Sequence, residues 1–229
     1  MIRLRDVQFS YRAGERVLLN VSLNIGPGLT LLLGPNGSGK STLLKIVGGI
    51  ERPDAGSAEL QGVDLWKSEV AARRKLAYVS EQPDLTPYAT IRDVIDLVCR
   101  LRSQPPESGA EALARVGLGA VTARSIRELS MGQRRRAVLA AAWVGSPRIV
   151  VLDEPLEGMD RAIREEILIW VDGLLANDAA IVVATHQIEP FVEKAVRAIG
   201  IRNGQCRLIE PLPTDPHQTS AVLESLCRP

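Results

Sequence analysis

A short glycine-rich segment between two apolar stretches constrains this chain more than any other part of its sequence. Residues 34–41 read Gly-Pro-Asn-Gly-Ser-Gly-Lys-Ser and match the pattern G-x-x-x-x-G-K-[ST]. The apolar run at 29–33 predicts a buried central strand, and Lys40–Val47 predicts a helix. A strand, a glycine loop and a helix in this order predict an α/β fold with a phosphate-binding loop.

The composition of this loop indicates how it would bind phosphate. Glycines allow backbone N–H groups to converge on phosphate oxygens, and the helix N-terminus adds the positive end of its dipole. Lys40 is expected to neutralise the charge of the β- and γ-phosphates, and the Ser41 hydroxyl to ligate Mg²⁺. A glycine turn that only caps a helix is the alternative, and the elements on both flanks argue against it. The predicted phosphate-binding residues are Gly34, Pro35, Asn36, Gly37, Ser38, Gly39, Lys40, Ser41 and Thr42.

Two adjacent acids, Asp153 and Glu154, follow the apolar run 149–152, which predicts another buried strand. Neighbouring side chains at a strand end point in different directions, so the two carboxylates can serve different roles. Asp153 is expected to hold Mg²⁺, and Glu154 to polarise an attacking water as a general base. A solvated strand end before Pro155 is the alternative for this pair considered by itself.

The remaining pattern predicts one domain, since the chain has 229 residues, of which 45% are hydrophobic and 24% charged. The near alternation of apolar and polar residues at 2–9 and 17–25 predicts antiparallel strands. Residues 83–132 are expected to form a small helical insertion, and residues 211–229 a short tail. Further strands are predicted at 57–61, 76–80 and 180–185, helices at 133–143 and 161–175, and a hairpin with an Asn-Gly turn at 196–209.

Charge and cysteine content exclude several classes of function. Lys and Arg total 28 against 27 Asp and Glu, so the formal charge of +1 gives no basis for a nucleic-acid partner or a polybasic anchor. The three cysteines, Cys99, Cys206 and Cys227, lack metal-ligand spacing and favour the reducing cytosol. No signal peptide or membrane span is predicted, so a role at a membrane would require docking onto another chain.

Residues 129–133, Leu-Ser-Met-Gly-Gln, resemble the signature motif of ABC ATPases, and the family's other motifs follow in order between Phe9 and Gly204. Guanine specificity is not expected, because the chain contains no Asn-Lys-x-Asp element, and ATP is the nucleotide that the family implies. The resemblance implies a single nucleotide-binding domain over 1–229. Its fold would be an α/β, P-loop NTPase core with a mainly parallel sheet, an N-terminal antiparallel β subdomain and a small helical subdomain.

The resemblance also implies roles for residues outside the phosphate loop. Tyr11 would stack on adenine with apolar contact from Val17, Gln82 would reach Mg²⁺ and the attacking water, and His186 would donate to the γ-phosphate. Taken singly, Tyr11 is equally explained as a surface aromatic, Gln82 as a polar loop residue and His186 as a helix N-terminal residue. The implied catalytic set is Glu154, His186, Gln82 and Lys40, and the implied metal ligands are Ser41, Gln82 and Asp153.

The signature motif carries an implication for assembly. Ser130 and Gly132, with Gln133 beside them, would bind the γ-phosphate of ATP held by a second subunit, and Asp160 lies at the end of the D-loop. The chain is therefore expected to hydrolyse ATP only as a dimer, most simply a homodimer. Met131 departs from the family pattern, in which glycine is usual at this position.

A second departure from the family pattern lies between Glu154 and Asp160. Leu156 and Glu157 replace a frequent Thr-Ser pair, and a carboxylate at Glu157 could alter D-loop contacts across the dimer.

The resemblance favours a transporter ATPase on the cytoplasmic face of a membrane, docked to a transmembrane permease near residues 83–88. Leu85 and Tyr88 would supply the apolar contacts of this docking surface. The short helical insertion and the arginine triplet 134–136 favour export, although the triplet could also be a solvated helix face. The alternatives are an importer ATPase and a soluble ABC ATPase of chromosome maintenance, repair or translation. Repair-type proteins need a long coiled coil before the signature, and only 88 residues separate Ser41 from Leu129.

Overall fold

Two β-sheets form the framework of the protein. The computed structural model describes residues 1–12, 14–82, 85–213 and 215–227. Its strands are β1 (Ile2–Arg12), β2 (Glu15–Ile25), β3 (Gly28–Leu33), β4 (Ala55–Leu60), β5 (Val63–Asp64), β6 (Leu76–Val79), β7 (Ile149–Asp153), β8 (Ala180–Ala184), β9 (Ala195–Arg202) and β10 (Gln205–Ile209). One sheet is antiparallel, with strand order β2-β1-β4-β5. The other has the order β10-β9-β3-β8-β7-β6 and is parallel except for β10.

The burial of each strand follows its sequence pattern. Strands β7 and β8 are buried at every position, as expected for apolar runs covered on both faces. Strand β1 instead alternates over part of its length, because one face of the antiparallel sheet contacts the core. The predicted α/β fold class, with its mainly parallel sheet and N-terminal antiparallel sheet, is confirmed.

The hairpin predicted near the end of the chain is also present. Strands β9 and β10 pair antiparallel, with Gln205 opposite Arg202. Asn203 and Gly204 connect them with φ angles of 50° and 73°. Positive φ at both central residues is the geometry that an Asn-Gly turn favours.

Eight α-helices lie within the described residues: α1 (Lys40–Val47), α2 (Glu69–Arg73), α3 (Ile91–Leu101), α4 (Pro106–Arg115), α5 (Met131–Trp143), α6 (Arg161–Leu175), α7 (Glu189–Val192) and α8 (Pro216–Cys227). Several begin at a recognisable cap. Thr90 and Asp93 form a capping box at α3, and the Asp160 side chain accepts from the Ile163 N–H at α6. No helix of the described chain combines the length and the apolar character needed to cross a bilayer.

The region between β6 and α5 contains helices α3 and α4, which pack closely because Gly109 lies against Ile95 and Cys99. The predicted boundaries of a helical subdomain at 83–132 stay a prediction. Arg102, at the end of α3, joins this region to the core by donating to the carbonyls of Leu76, Ala141, Ala142 and Val144. Burial lowers the pKa of Arg102 to about 10.

The predicted tail is partly helical. Helix α8 buries Leu223, and Leu226 lies close to Gly200 on β9. The apolar spacing of 222, 223 and 226 is compatible with a helix, but the short, proline-led segment by itself predicts only a tail.

Candidate active site

The carboxyl ends of the parallel strands meet at one edge of the sheet, and the segments that follow them, together with Tyr11 of β1 and Val17 of β2, line an open cavity of about 620 Å³. Ligands of open α/β sheets bind in such crevices outside the carboxyl ends of the strands. The cavity is lined by Tyr11, Val17, Asn36, Gly37, Gly39, Lys40, Ser41, Thr42, Glu81, Asp153, Glu154, Glu157 and His186. The fold thus assembles most of the predicted site residues.

The glycine-rich loop lies between β3 and α1, as its flanking sequences predict. The ammonium Nζ of Lys40 donates to the carbonyls of Gly34 at 2.7 Å and Pro35 at 3.1 Å. Gly39 precedes the helix with φ of 105°, a conformation that side-chain-bearing residues rarely adopt. The Ser38 hydroxyl is buried within the same loop. Lys40 is thus held by its own loop, beside the N-terminus of α1.

Tyr11 lies at the mouth of the cavity with 52% of its surface exposed. Its ring packs edge-on against Phe9 at a centroid distance of 4.9 Å, and its hydroxyl lies 3.3 Å from Thr42 Oγ1. These contacts orient the ring, and the exposed surface that remains is available to stack on a planar group. Val17 contributes apolar surface to the same cavity.

Asp153 ends β7 and is only 4% exposed. Burial raises the pKa of Asp153 to about 6, and the charges of Glu81 and Glu154 act in the same direction. A hydrogen bond from Ser41 and the charge of Lys40 oppose this rise. The carboxylate therefore stands where a cation would be favourable.

Glu154 adopts the left-handed backbone conformation, with φ of 47°. Non-glycine residues seldom occupy this region unless their surroundings hold them there. Its Oε2 accepts from the Thr185 hydroxyl at 3.0 Å and from the His186 N–H at 3.3 Å. Its Oε1 lies 3.6 Å from His186 Nε2. The end of β8 thus orients the carboxylate that follows β7.

Glu81 is a cavity residue that was not predicted from the sequence. It follows β6 and lines the cavity together with Asp153, whose pKa its charge helps to raise. Gln82, which was predicted instead, lines a neighbouring groove of about 1000 Å³. Glu81, Asp153 and Ser41 line both spaces, so Gln82 lies beside the cavity and Glu81 within it. The one feature of the sequence that could have identified Glu81 is its position next to Gln82.

The donors at the cavity fit a magnesium ion that arrives with a nucleotide. Ser41 offers a hydroxyl, and Asp153 and Glu81 offer carboxylates, which are hard oxygen ligands of the kind that Mg²⁺ prefers. The described residues contain no group of three or more His, Cys, Asp or Glu arranged to hold a metal by themselves. Mg²⁺ commonly takes one or two carboxylates and completes its shell with phosphate oxygens and water.

Ser130, Gly132, Gln133 and Asp160 do not line the cavity. Ser130 instead caps α5: its hydroxyl accepts from the Gln133 N–H at 3.2 Å, and the Gln133 side chain accepts from the Ser130 N–H. The Ser130 hydroxyl proton is not used in this cap, and a Cβ added at Gly132 would meet open space. The N-terminus of α5 therefore retains hydrogen-bond donors for a ligand that is not bound in the cavity of the same chain.

The departures from the family pattern have local explanations. Met131 is the first residue of α5, where a side chain is tolerated without strain, and it is 61% exposed. Leu156 is buried in the main apolar core, whereas Glu157 lines the cavity.

The arginine triplet is not a freely solvated helix face. Arg134 donates to the carbonyls of Ile126 and Arg127, Arg135 to that of Glu157, and Arg136 pairs with Asp160 at 2.8 Å.

Known proteins resemble this chain over most of its length. A sequence profile for the family described as "ABC transporter" matches residues 18–157. A putative ABC transporter ATP-binding protein of Pyrococcus horikoshii is 30% identical over 213 residues, which cover 90% of this chain and 82% of that protein. A dimeric post-hydrolysis state of an ATP-binding cassette bound to ADP and Pi superposes with a TM-score of 0.79 at 27% identity, covering 92% of this chain and 98% of that one.

Similar proteins include both directions of transport. The sulfate/thiosulfate import ATP-binding protein CysA of Thermosynechococcus vestitus is 33% identical, covering 100% of this chain and 69% of that protein. The macrolide export ATP-binding/permease protein MacB 1/2 of Paracoccus denitrificans is 32% identical, covering 90% of this chain and 32% of that protein. Similarity at this level does not distinguish an importer from an exporter.

Proposed function

This chain belongs to the ABC transporter family as an ATP-binding subunit that hydrolyses ATP, and we propose that two copies close around two ATP molecules to drive a separate membrane subunit. One observation carries the dimer proposal. The cavity contains the phosphate loop and the carboxylates, while Ser130 and Gly132 at the N-terminus of α5 lie outside it. A second chain would bring these donors to the γ-phosphate of the first.

Each cavity residue has a proposed role in nucleotide binding. Tyr11 stacks on adenine, and Lys40 leaves its loop carbonyls to neutralise phosphate charge. Ser41, Asp153 and Glu81 are the residues that would hold Mg²⁺. When bound, the ion supplies charge neutralisation for the phosphate oxygens. Gln82, the residue implied by the resemblance, lines the neighbouring groove.

We propose that Glu154 is the general base of hydrolysis. A water oxygen attacks the γ-phosphorus, its proton passes to the Glu154 carboxylate, and the bond to the ADP oxygen breaks to give ADP and phosphate. Thr185 holds the carboxylate through its hydroxyl. His186, at the end of β8, donates to the γ-phosphate and so stabilises the charge of the transferring group.

Mixing two inactive variants tests the shared site. Lys40→Ala damages the phosphate loop, and Ser130→Phe blocks the signature that serves the partner. A mixed dimer contains one doubly damaged site and one site built entirely from wild-type parts. Mixing should therefore restore hydrolysis, whereas neither variant alone at the same total concentration should hydrolyse ATP. If the mixture stays inactive while unmodified protein is active, the sites are not shared in this way.

We propose that the neighbouring groove receives the membrane subunit. Ile50, Leu85, Val98 and Val138 give it apolar walls, and Glu81 and Asp153 line both the groove and the cavity. A helix bound there would contact the segment that follows β6, so its movement could follow closure of the dimer. Tyr88, three residues after Leu85, is 78% exposed.

Part of the predicted docking segment, Pro83 and Asp84, lies outside the described residues. The test uses the double variant Leu85→Asp and Tyr88→Asp. It should bind ATP normally but lose co-purification with a multispanning membrane protein and lose transport. Ile169→Asp, an exposed apolar residue of α6, is the matched control. Transport equal to that of the control would contradict this docking surface.

We propose the cytoplasmic face of the membrane as the location and retain export as the direction. The formal charge of +1 gives no support to a nucleic-acid partner. Vesicles of known orientation, containing the purified complex, test direction: ATP outside inverted vesicles should drive accumulation of an exported substrate. Loss from preloaded inverted vesicles would instead assign import, and retention on ribosomes or nucleic acid without a membrane partner would favour a non-transport ATPase.

A further inference from the structure

Arginine side chains from two helices hold the loop between β7 and α6, here called the β7–α6 loop (residues 154–160). From α5, the guanidinium of Arg135 donates to the Glu157 carbonyl. The next loop residue is Gly158, with φ of 66°, and a Cβ at this position would lie 2.6 Å from Arg135 Nη1. The contact thus depends on a glycine whose backbone the guanidinium approaches closely.

From α6, Arg164 connects the same loop to the segment that follows β8. Its Nε donates to the Met159 carbonyl at 3.0 Å, and its Nη1 donates to Gln187 Oε1 at 3.1 Å. The Gln187 N–H in turn donates to Thr185 Oγ1 at 3.0 Å. One planar guanidinium thereby links the loop that begins at Glu154 to the segment whose residues Thr185 and His186 donate to the Glu154 carboxylate.

The acceptors of Arg164 distinguish it from an ordinary surface cation. Both are neutral, and no ion pair involving Arg164 occurs among the described residues. Arg161, one turn earlier on the same helix, has a side chain that is 94% exposed and pairs with Glu165 within α6. Removing Arg161 would break only a surface pair, whereas removing Arg164 would release the loop from the residue next to His186.

We propose that Arg164 is a positioning residue for hydrolysis. It holds the β7–α6 loop against Gln187, so that His186 and Thr185 keep their places around Glu154. Arg135 extends the connection to α5, whose N-terminus carries Ser130. Nucleotide binding in the partner's site thereby affects the position of the Glu154 carboxylate in this chain. This inference rests on the proposed function, since it requires the signature motif to act in the dimer.

The experiment measures kcat, KM and the Hill coefficient for ATP in Arg164→Ala and Gln187→Leu. Each should lower kcat about tenfold to a hundredfold through misplacement of catalytic groups, with KM changed less than about twofold. Cooperativity should fall toward a Hill coefficient of about 1, as expected for uncoupled sites. The double variant should be no slower than Arg164→Ala alone, because Arg164→Ala already removes the contact that Gln187→Leu removes.

Two controls separate positioning from general damage. Arg161→Ala should behave as wild type, and Gln187→Glu, which keeps an acceptor for Arg164, should retain activity. If Arg164→Ala does not fold, the comparison of Gln187→Leu with Gln187→Glu decides. Equal activity of these two variants, or additive losses in the double variant, would overturn the inference while leaving hydrolysis by wild type intact. An inactive wild-type dimer would instead remove the proposed function, and the inference with it.

Discussion

The imidazole Nε2 of His186 lies 3.6 Å from Oε1 of Glu154, although 32 residues separate them along the chain. Parallel pairing of β7 and β8 produces this proximity, since Asp153 is opposite Ala184 in the ladder. The residues just beyond the two strand ends then meet at the same edge of the sheet. The Thr185 hydroxyl and the His186 N–H, both from the end of β8, thereby donate to one carboxylate.

Replacing Glu154 with Gln should trap the nucleotide-bound state. The amide retains the size of the carboxylate but cannot accept a proton from water, so kcat should fall by about 10²-fold or more. ATP binding should persist, and gel filtration with Mg-ATP should show a dimer. Glu165→Gln, an exposed carboxylate of α6, should hydrolyse ATP as wild type does. A monomeric, ATP-bound Glu154→Gln protein would argue against this role.

The Thr185 hydroxyl should matter for rate more than for affinity. Thr185 is 3% exposed, donates to Glu154 and accepts from the Gln187 N–H. Thr185→Val keeps the shape but leaves Glu154 without this donor, so kcat should fall about tenfold, the effect of a lost hydrogen bond to a charged group. Thr185→Ser should retain most activity. Steady-state kinetics on both variants test this, and equal losses would indicate a packing role.

The pKa of Asp153 predicts a pH dependence of Mg-ATP binding. Because burial raises this pKa to about 6, the protonated fraction of Asp153 in the nucleotide-free protein increases as the pH falls below that value. Mg²⁺ must displace this proton, so affinity should fall below pH 6, approaching about tenfold per pH unit. The affinity for Mg-ATP is measured over the same pH range in Asp153→Asn, whose remaining pH dependence gives the contribution from protonation of ATP itself. The same slope in this variant would show that Asp153 is not responsible.

Glu81 and Gln82 should differ in their effects on Mg²⁺ dependence. Glu81 lines the cavity with Asp153, whereas Gln82 lines the neighbouring groove. Glu81→Ala should therefore raise the Mg²⁺ concentration needed for half-maximal hydrolysis more than Gln82→Ala does, because a hard oxygen donor is lost. Magnesium titrations at saturating ATP measure the difference. The opposite order would restore Gln82 as the metal-facing residue.

Two helix glycines should respond oppositely to alanine. A Cβ at Gly109 would lie 2.5 Å from Ile95 Cγ2 and 2.9 Å from Cys99 Sγ, so Gly109→Ala should destabilise the protein by about 1–3 kcal/mol through overpacking. A Cβ at Gly173 in α6 meets nothing within 4 Å, and Gly173→Ala should stabilise by about 0.5–1 kcal/mol. Urea unfolding of both variants measures the difference, and destabilisation by both would contradict this reading of the packing.

The local sequence was sufficient to predict elements in which few residue types fit the required backbone conformation or burial. The phosphate loop requires glycines at defined spacing, and the buried strands require uninterrupted apolar runs, so β3, α1, β7 and β8 were predicted close to their observed bounds. The Asn-Gly turn between β9 and β10 was predictable for the same reason, since positive φ selects these residues. In each case the physical constraint acts within a few residues.

Tertiary structure alone decided which residues meet. Glu81 rather than its neighbour Gln82 enters the cavity, because the direction of a side chain after a strand depends on how the following loop turns. The contacts of Arg164 and Arg135 with the β7–α6 loop likewise join residues that no local pattern relates. By itself the sequence determined the fold class and the chemical groups, since those follow from local periodicity and composition. Strand order and loop packing determined the distances between these groups.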